Sequence, residues 1–107
     1  MNSKITIKPV VTKFKREIRK ITGDNLKKII LFGSHARNEE VKYSDIDIIL
    51  LFQDEPSEEI KSKIKEISNS LSLQYDVVIA EIFLTQSEFQ TYQTPFLLNI
   101  KKEGIAI

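Results

Sequence analysis

The chain has 107 residues, with 16 Lys and Arg against 15 Asp and Glu and a net charge of +1, so no global field draws it to nucleic acid or to an anionic membrane. That length is expected to hold one domain, residues 1–107, with a single modest core and no second lobe. The absence of cysteine excludes disulfides and thiolate zinc sites, and the lone His35 argues against a histidine-rich metal centre or a Ser-His-Asp triad.

In chain order, Val11, Phe14, Ile18 and Ile21 step by three and four, which predicts an amphipathic helix ending near Gly23. Its Lys13, Lys15, Arg16, Arg19 and Lys20 are either a nucleic-acid face or the solvated side of a surface helix. The near-neutral charge favours the second reading, with no direct nucleic-acid partner. A strand is expected over 26–32, then a Gly-Ser turn with a short helix over 34–40, then a strand over 45–52. Ile60, Ile64, Ile67 and Leu71 form the buried stripe of the next helix, with Pro56, Glu58 and Glu59 suited to its start. A β-branched and aromatic run from Tyr75 to Leu84 predicts a third strand. Thr85 and Glu88 have capping-box spacing for a helix reaching about Tyr92. Pro95 opens a last helix, Lys101 and Lys102 suit its final turn, and Gly104 ends it. Ile105 to Ile107 form a short strand or a packed tail. This alternation predicts an α/β fold, a two-layer mixed β-sheet with helices mainly on one face.

The chemistry concentrates between the first two strands. Gly33 lets the backbone approach a phosphate closely, Ser34 offers an N–H and a hydroxyl, and a helix start there would favour bound phosphate. Asp45 and Asp47 are two apart on a strand, so they project to one face while Ile46 projects to the other. Two carboxylates that close repel each other unless a cation lies between them, and Mg²⁺ prefers hard oxygen ligands. The flanking runs Lys28 to Phe32 and Ile48 to Phe52 read as strands buried on both faces, so the charged pair stands at a buried rim. Together these features point to phosphoryl or nucleotidyl transfer. Asp76, at the start of the third strand, is either a third ligand or a solvated strand-start residue.

Gly33-Ser34, ten residues, then Asp45-x-Asp47 resembles the signature of the DNA polymerase β-like nucleotidyltransferase superfamily. From about Lys13 onward the chain looks like the minimal nucleotidyltransferases. Tyr75-Asp76-Val77-Val78 stands where that family has a third carboxylate, and Pro95 to Gly104 is a typical ending. The resemblance implies the polymerase β-like nucleotidyltransferase fold, with Asp45, Asp47 and Asp76 as catalytic and Mg²⁺-binding residues. It also implies nucleotide contacts from Gly33, Ser34 and Arg37. Asp45 and Asp47 would bridge two ions, and Asp76 would complete the acceptor side and take the hydroxyl proton. His35 departs from the basic Arg common after Gly-Ser, while Arg37 keeps the second expected arginine. Arg37 either reaches the triphosphate or pairs with Glu39 and Glu40; Tyr43 stacks on a base or packs; Ser44 orients the Asp45 loop.

About twenty residues follow the third strand, too few for an acceptor-binding lobe, so the acceptor is expected on another molecule or across a homodimer. The family's usual behaviour implies an antitoxin that transfers AMP from ATP, or from another nucleoside triphosphate, to a tyrosine of a HEPN-type toxin. A non-catalytic antitoxin acting by contact alone is the alternative, and a drug-modifying nucleotidyltransferase lacks acceptor-binding mass. Phe89, Tyr92, Phe96, Leu97 and Leu98 are the candidate partner surface, although half or more are expected to cover the sheet. The opening Met-Asn-Ser-Lys lacks an apolar signal core and no apolar run approaches a membrane span, so a cytoplasmic location without membrane contact is expected.

Overall fold

The structure, a computed structural model, describes residues 8–33 and 45–107. Helix α1 spans Lys8–Thr22 and buries Val10, Val11, Phe14 and Ile18 on one stripe, as the spacing predicts. Its basic side is surface: Lys20 pairs with Glu17 at 3.0 Å and Lys13 donates to Gln74 at 3.3 Å. A single 3₁₀ turn, Gly23–Asn25, leads into β1, Leu26–Phe32. Strand β2, Asp45–Phe52, is followed by α2, Glu58–Tyr75, whose N-terminus is capped by the Ser57 hydroxyl accepting from the Ile60 N–H. Strand β3 is Val78–Thr85, α3 is Gln86–Thr91, α4 is Pro95–Glu103, and β4 is Ile105–Ala106. The capping box of Thr85 and Glu88 forms reciprocally, and Pro95 stands in the first turn of α4. No helix among the described residues is long and apolar enough to cross a membrane.

The four strands form one sheet in the order β3-β2-β1-β4. β1 pairs antiparallel with β2 and with β4, whereas β2 and β3 are parallel, joined by the α2 crossover. Register sorts the side chains. Ile46, Ile48, Leu50 and Phe52 of β2 share one face with Ile29, Leu31 and Ile79 and are sealed by Phe14 and Ile18 of α1 and Ile64 and Leu71 of α2. Ile49 and Leu51 point the other way, into a smaller cluster with Ile30, Leu97 and Ile100. Strands sandwiched between helices read as continuous apolar runs, which is why β1 and β2 show no alternation. α1 and α2 cover one face, as the two-layer mixed sheet predicts, and α4 adds cover to part of the second face through Leu97 and Ile100.

Two boundaries differ from the sequence reading. The third strand begins at Val78, because α2 runs on to Tyr75 and Asp76 ends it in the left-handed conformation, φ 55°. β-Branched and aromatic content cannot distinguish a last helical turn from a first strand residue. Gly104 ends α4 at φ −68° and not as a left-handed cap. A Cβ there would meet the Ile100 carbonyl and Ile30 Cγ2, each at 2.6 Å, so close packing explains the glycine.

Composition gave no sign of one further feature, a polar contact under α2. Glu81 pairs in register with Ile48, so it points into the helix-covered face, where its side chain is 1% exposed. There it accepts a hydrogen bond from the buried Ser68 hydroxyl and pairs with Lys65 Nζ at 3.0 Å. A buried carboxylate persists only when its oxygens are satisfied in this way.

Candidate active site

Topology gathers the chemistry at one end of the sheet. β1 runs toward that end and finishes at Phe32, followed by Gly33; β2 and β3 both start there, at Asp45 and Val78. Phe32 lies directly opposite Asp47, and Val78 and Ala80 lie beside Asp45 and Asp47. Residues in register share a face, so Asp45 and Asp47 project to the α4 side with Ile49, while the fully buried Ile46 anchors the strand in the opposite core. Asp45 is exposed and Asp47 half-buried. The two carboxylates thus stand at the wet rim of a strand whose remainder is packed.

Gly33 adopts φ +80°, a conformation that side-chain-bearing residues rarely take. A Cβ built there would lie 2.6 Å from Asp47 Oδ2. Glycine is thus required twice, for the turn and for the space beside the carboxylate. Ser34, His35, Arg37, Tyr43 and Ser44 lie outside the described residues.

Asp76 occupies the same end of the sheet, two residues before the strand residue that pairs with Asp45, and is exposed at the end of α2. It is not drawn into a ready-made cage. Among the described residues no group of three or more His, Cys, Asp or Glu is placed to hold a metal ion. Asp76, in the left-handed conformation that ends α2, lies beyond the ladder that fixes Asp45 and Asp47. The donors present still fit Mg²⁺. That ion is commonly held by one or two carboxylates plus substrate phosphates.

The rim opens onto a cleft of about 230 Å³ between β1 and α4, lined by Phe32, Gly33, Phe96, Asn99, Ile100 and Glu103. Phe32 and Phe96 meet edge to face at 5.6 Å and 86°. The sequence reading missed this cleft. The spacing 96, 99, 100 and 103 is a helical stripe that could have indicated a shared face, but only the fold aims that stripe at Gly33. Of the proposed surface residues, Leu97 is buried and Phe89 packs against the second core, whereas Tyr92, Phe96 and Leu98 stay 47%, 50% and 49% exposed.

Comparison with known proteins agrees with this geometry. Residues 11–106 match the family described as nucleotidyltransferase domain. The chain is 33% identical over 98 residues to Putative protein adenylyltransferase MJ0141 of Methanocaldococcus jannaschii, covering 92% of this chain and 95% of that one. Among solved structures it is similar to a toxin–antitoxin crystal structure with AMP-PNP, with a TM-score of 0.61 at 19% identity over 88% of this chain and 69% of the other. A complex of tri-AMPylated Shewanella oneidensis HEPN toxin with MNT antitoxin also matches, with a TM-score of 0.56 at 20% identity over 92% and 66%. At such identities the structural matches speak for the fold, while the family match and the M. jannaschii relative cover nearly the whole chain. With its strand-end glycine and paired aspartates, the chain belongs to the nucleotidyltransferase domain family.

Proposed function

We propose that this nucleotidyltransferase transfers AMP from ATP to a hydroxyl group, a tyrosine of a HEPN-type toxin, and acts as the antitoxin of that pair. The observation that carries the reading is the apposition of Gly33 to Asp47 beside Asp45 on one sheet face. That arrangement suits a triphosphate brought against a carboxylate pair. Support for the acceptor comes from the relative named as a protein adenylyltransferase and from the similarity to toxin–antitoxin complexes, one with AMP-PNP and one with an AMPylated toxin.

Asp45 and Asp47 would hold Mg²⁺, which supplies charge neutralisation for the triphosphate when bound. Gly33 lets the phosphates approach, with Ser34 and Arg37 as further phosphate contacts. Asp76, on the β3 side, takes up the acceptor hydroxyl proton. The acceptor oxygen then forms its bond to the α-phosphorus as the bond to the departing pyrophosphate breaks. Catalysis in such transfers is largely positioning and electrostatics, so a small rigid sheet end is sufficient.

The half-exposed Tyr92, Phe96 and Leu98 favour a second reading, in which contact alone silences the partner. A single variant separates the two. Asp45→Asn should still bind the toxin yet lose both AMP transfer and protection. Loss of transfer with full protection would establish the contact mechanism instead. A metal-dependent nucleotide effect is the simpler first test: Mg²⁺ with ATP should raise the melting temperature by mass action, and the double variant Asp45→Asn with Asp47→Asn should not respond.

A further inference from the structure

We infer that the cleft between β1 and α4 seats the nucleobase, and that Asn99 reads it as adenine; this rests on the nucleotidyl-transfer reading above and names the residues that select its nucleotide. Position comes first. Phe32 lines the cleft and lies in register with Asp47, and Gly33 belongs to both the cleft and the phosphate-approach turn. Among the recesses lined by described residues, this cleft is the one beside Gly33, where a nucleotide with its phosphates against Gly33 and Asp47 would reach it. The larger recess of about 400 Å³, lined by Lys28, Leu51, Gln86, Phe89, Gln90 and Lys101, lies toward the other end of the strands. Leu51 is four residues along β2 from Asp47, about 13 Å away at strand rise.

The lining chemistry comes next. Phe96 is half exposed and its ring stands edge to face with Phe32, so it leaves an aromatic surface open for a flat ring. Asn99 follows one helical turn later on the same stripe. Its amide carries a donor and an acceptor in one plane, which match the N6 amino group and N7 of adenine; guanine presents two acceptors, O6 and N7, at that edge. Phe96, Asn99, Ile100 and Glu103 come to the cleft from α4, which the sheet holds in place through the buried Leu97 and Ile100.

The test is binding of Mg²⁺ with ATP, GTP or inorganic tripolyphosphate, read by thermal shift and titration on the wild type, Asn99→Ala and Phe96→Ala. The wild type should prefer ATP over GTP by about tenfold, and Asn99→Ala should bring that ratio close to one. Phe96→Ala should weaken both nucleotides by about fivefold or more, because stacking is blind to base identity. Tripolyphosphate binding should be the same in all three proteins. Asn99 is exposed on its helix, so the alanine variant keeps the fold. Phe96→Leu serves as a second variant that preserves apolar cover over Phe32 while removing the ring. Equal binding of ATP and GTP by the wild type, or an adenine preference that survives Asn99→Ala, overturns the inference while bound tripolyphosphate leaves the transfer reading intact. So does a result in which these variants impair only the acceptor protein, which would make the cleft an acceptor site. Failure of all three ligands to shift the wild type overturns both readings.

Discussion

Replacing Gly33 by alanine tests the site at its narrowest point, and Gly23 supplies an internal control. Both glycines have positive φ, +80° and +57°, so a Cβ at either one incurs the left-handed penalty of about 1–2 kcal/mol. For a domain of this size that corresponds to a fall in melting temperature of roughly 4–16 °C. The surroundings differ. At Gly23 an added Cβ meets nothing within 4 Å, while at Gly33 it lies 2.6 Å from Asp47 Oδ2. To regain ordinary contact at 3.4 Å, the Asp47 carboxylate must retreat by about 0.8 Å. A displacement near 1 Å in a positioned group can cost about 10²-fold in rate. Gly33→Ala should therefore lose at least as much stability as Gly23→Ala, and only Gly33→Ala should lose the Mg²⁺–ATP thermal shift and AMP transfer. Scanning fluorimetry with and without Mg²⁺–ATP, followed by a transfer assay on the partner, reads both effects. A folded Gly33→Ala protein with the full nucleotide shift and normal transfer would refute the assigned geometry.

Other substitutions probe the scaffold. Glu81→Ala should destabilise by about 1–3 kcal/mol, since it leaves the buried Ser68 hydroxyl without its acceptor; Lys65→Ala should cost under about 1 kcal/mol, because Lys65 is 60% exposed. Urea denaturation of the two variants checks that ordering. Thr85→Ala removes the N-cap of α3 and should cost about 1 kcal/mol, seen as a lower urea midpoint with nucleotide affinity unchanged. The Lys20 hydrogen bond holds the Glu17 carboxyl below its ordinary value. Its stabilisation is present above the unfolded pKa and lost as pH falls through the lower folded value. Glu17→Gln should accordingly melt slightly below the wild type near neutrality, with a flatter acid limb, so that the two melting curves converge as the pH falls.

Much of the fold is legible in the chain. The apolar runs of β1 and β2 fix both strands at 26–32 and 45–52, because burial on both faces leaves an unbroken hydrophobic signature. The three-four stepping of α1, the capping box of α3 and the proline start of α4 are local signals, and local hydrogen bonding decides those elements. The Gly33 turn and the same-face pairing of Asp45 and Asp47 follow from strand periodicity and need no tertiary information. Asp76 is different. Propensity alone does not distinguish the end of α2 from the start of β3, and the left-handed residue that closes the helix lies beyond the strand ladder. Glu81 looks like an ordinary surface acid until its register with Ile48 turns it beneath α2. The cleft of Phe32, Phe96 and Asn99 is likewise invisible in a sequence that separates its walls by more than sixty residues. Short-range chemistry is written along the chain, whereas which distant side chains meet is decided only when the antiparallel and parallel pairings bring strand ends and helix stripes to one edge of the sheet.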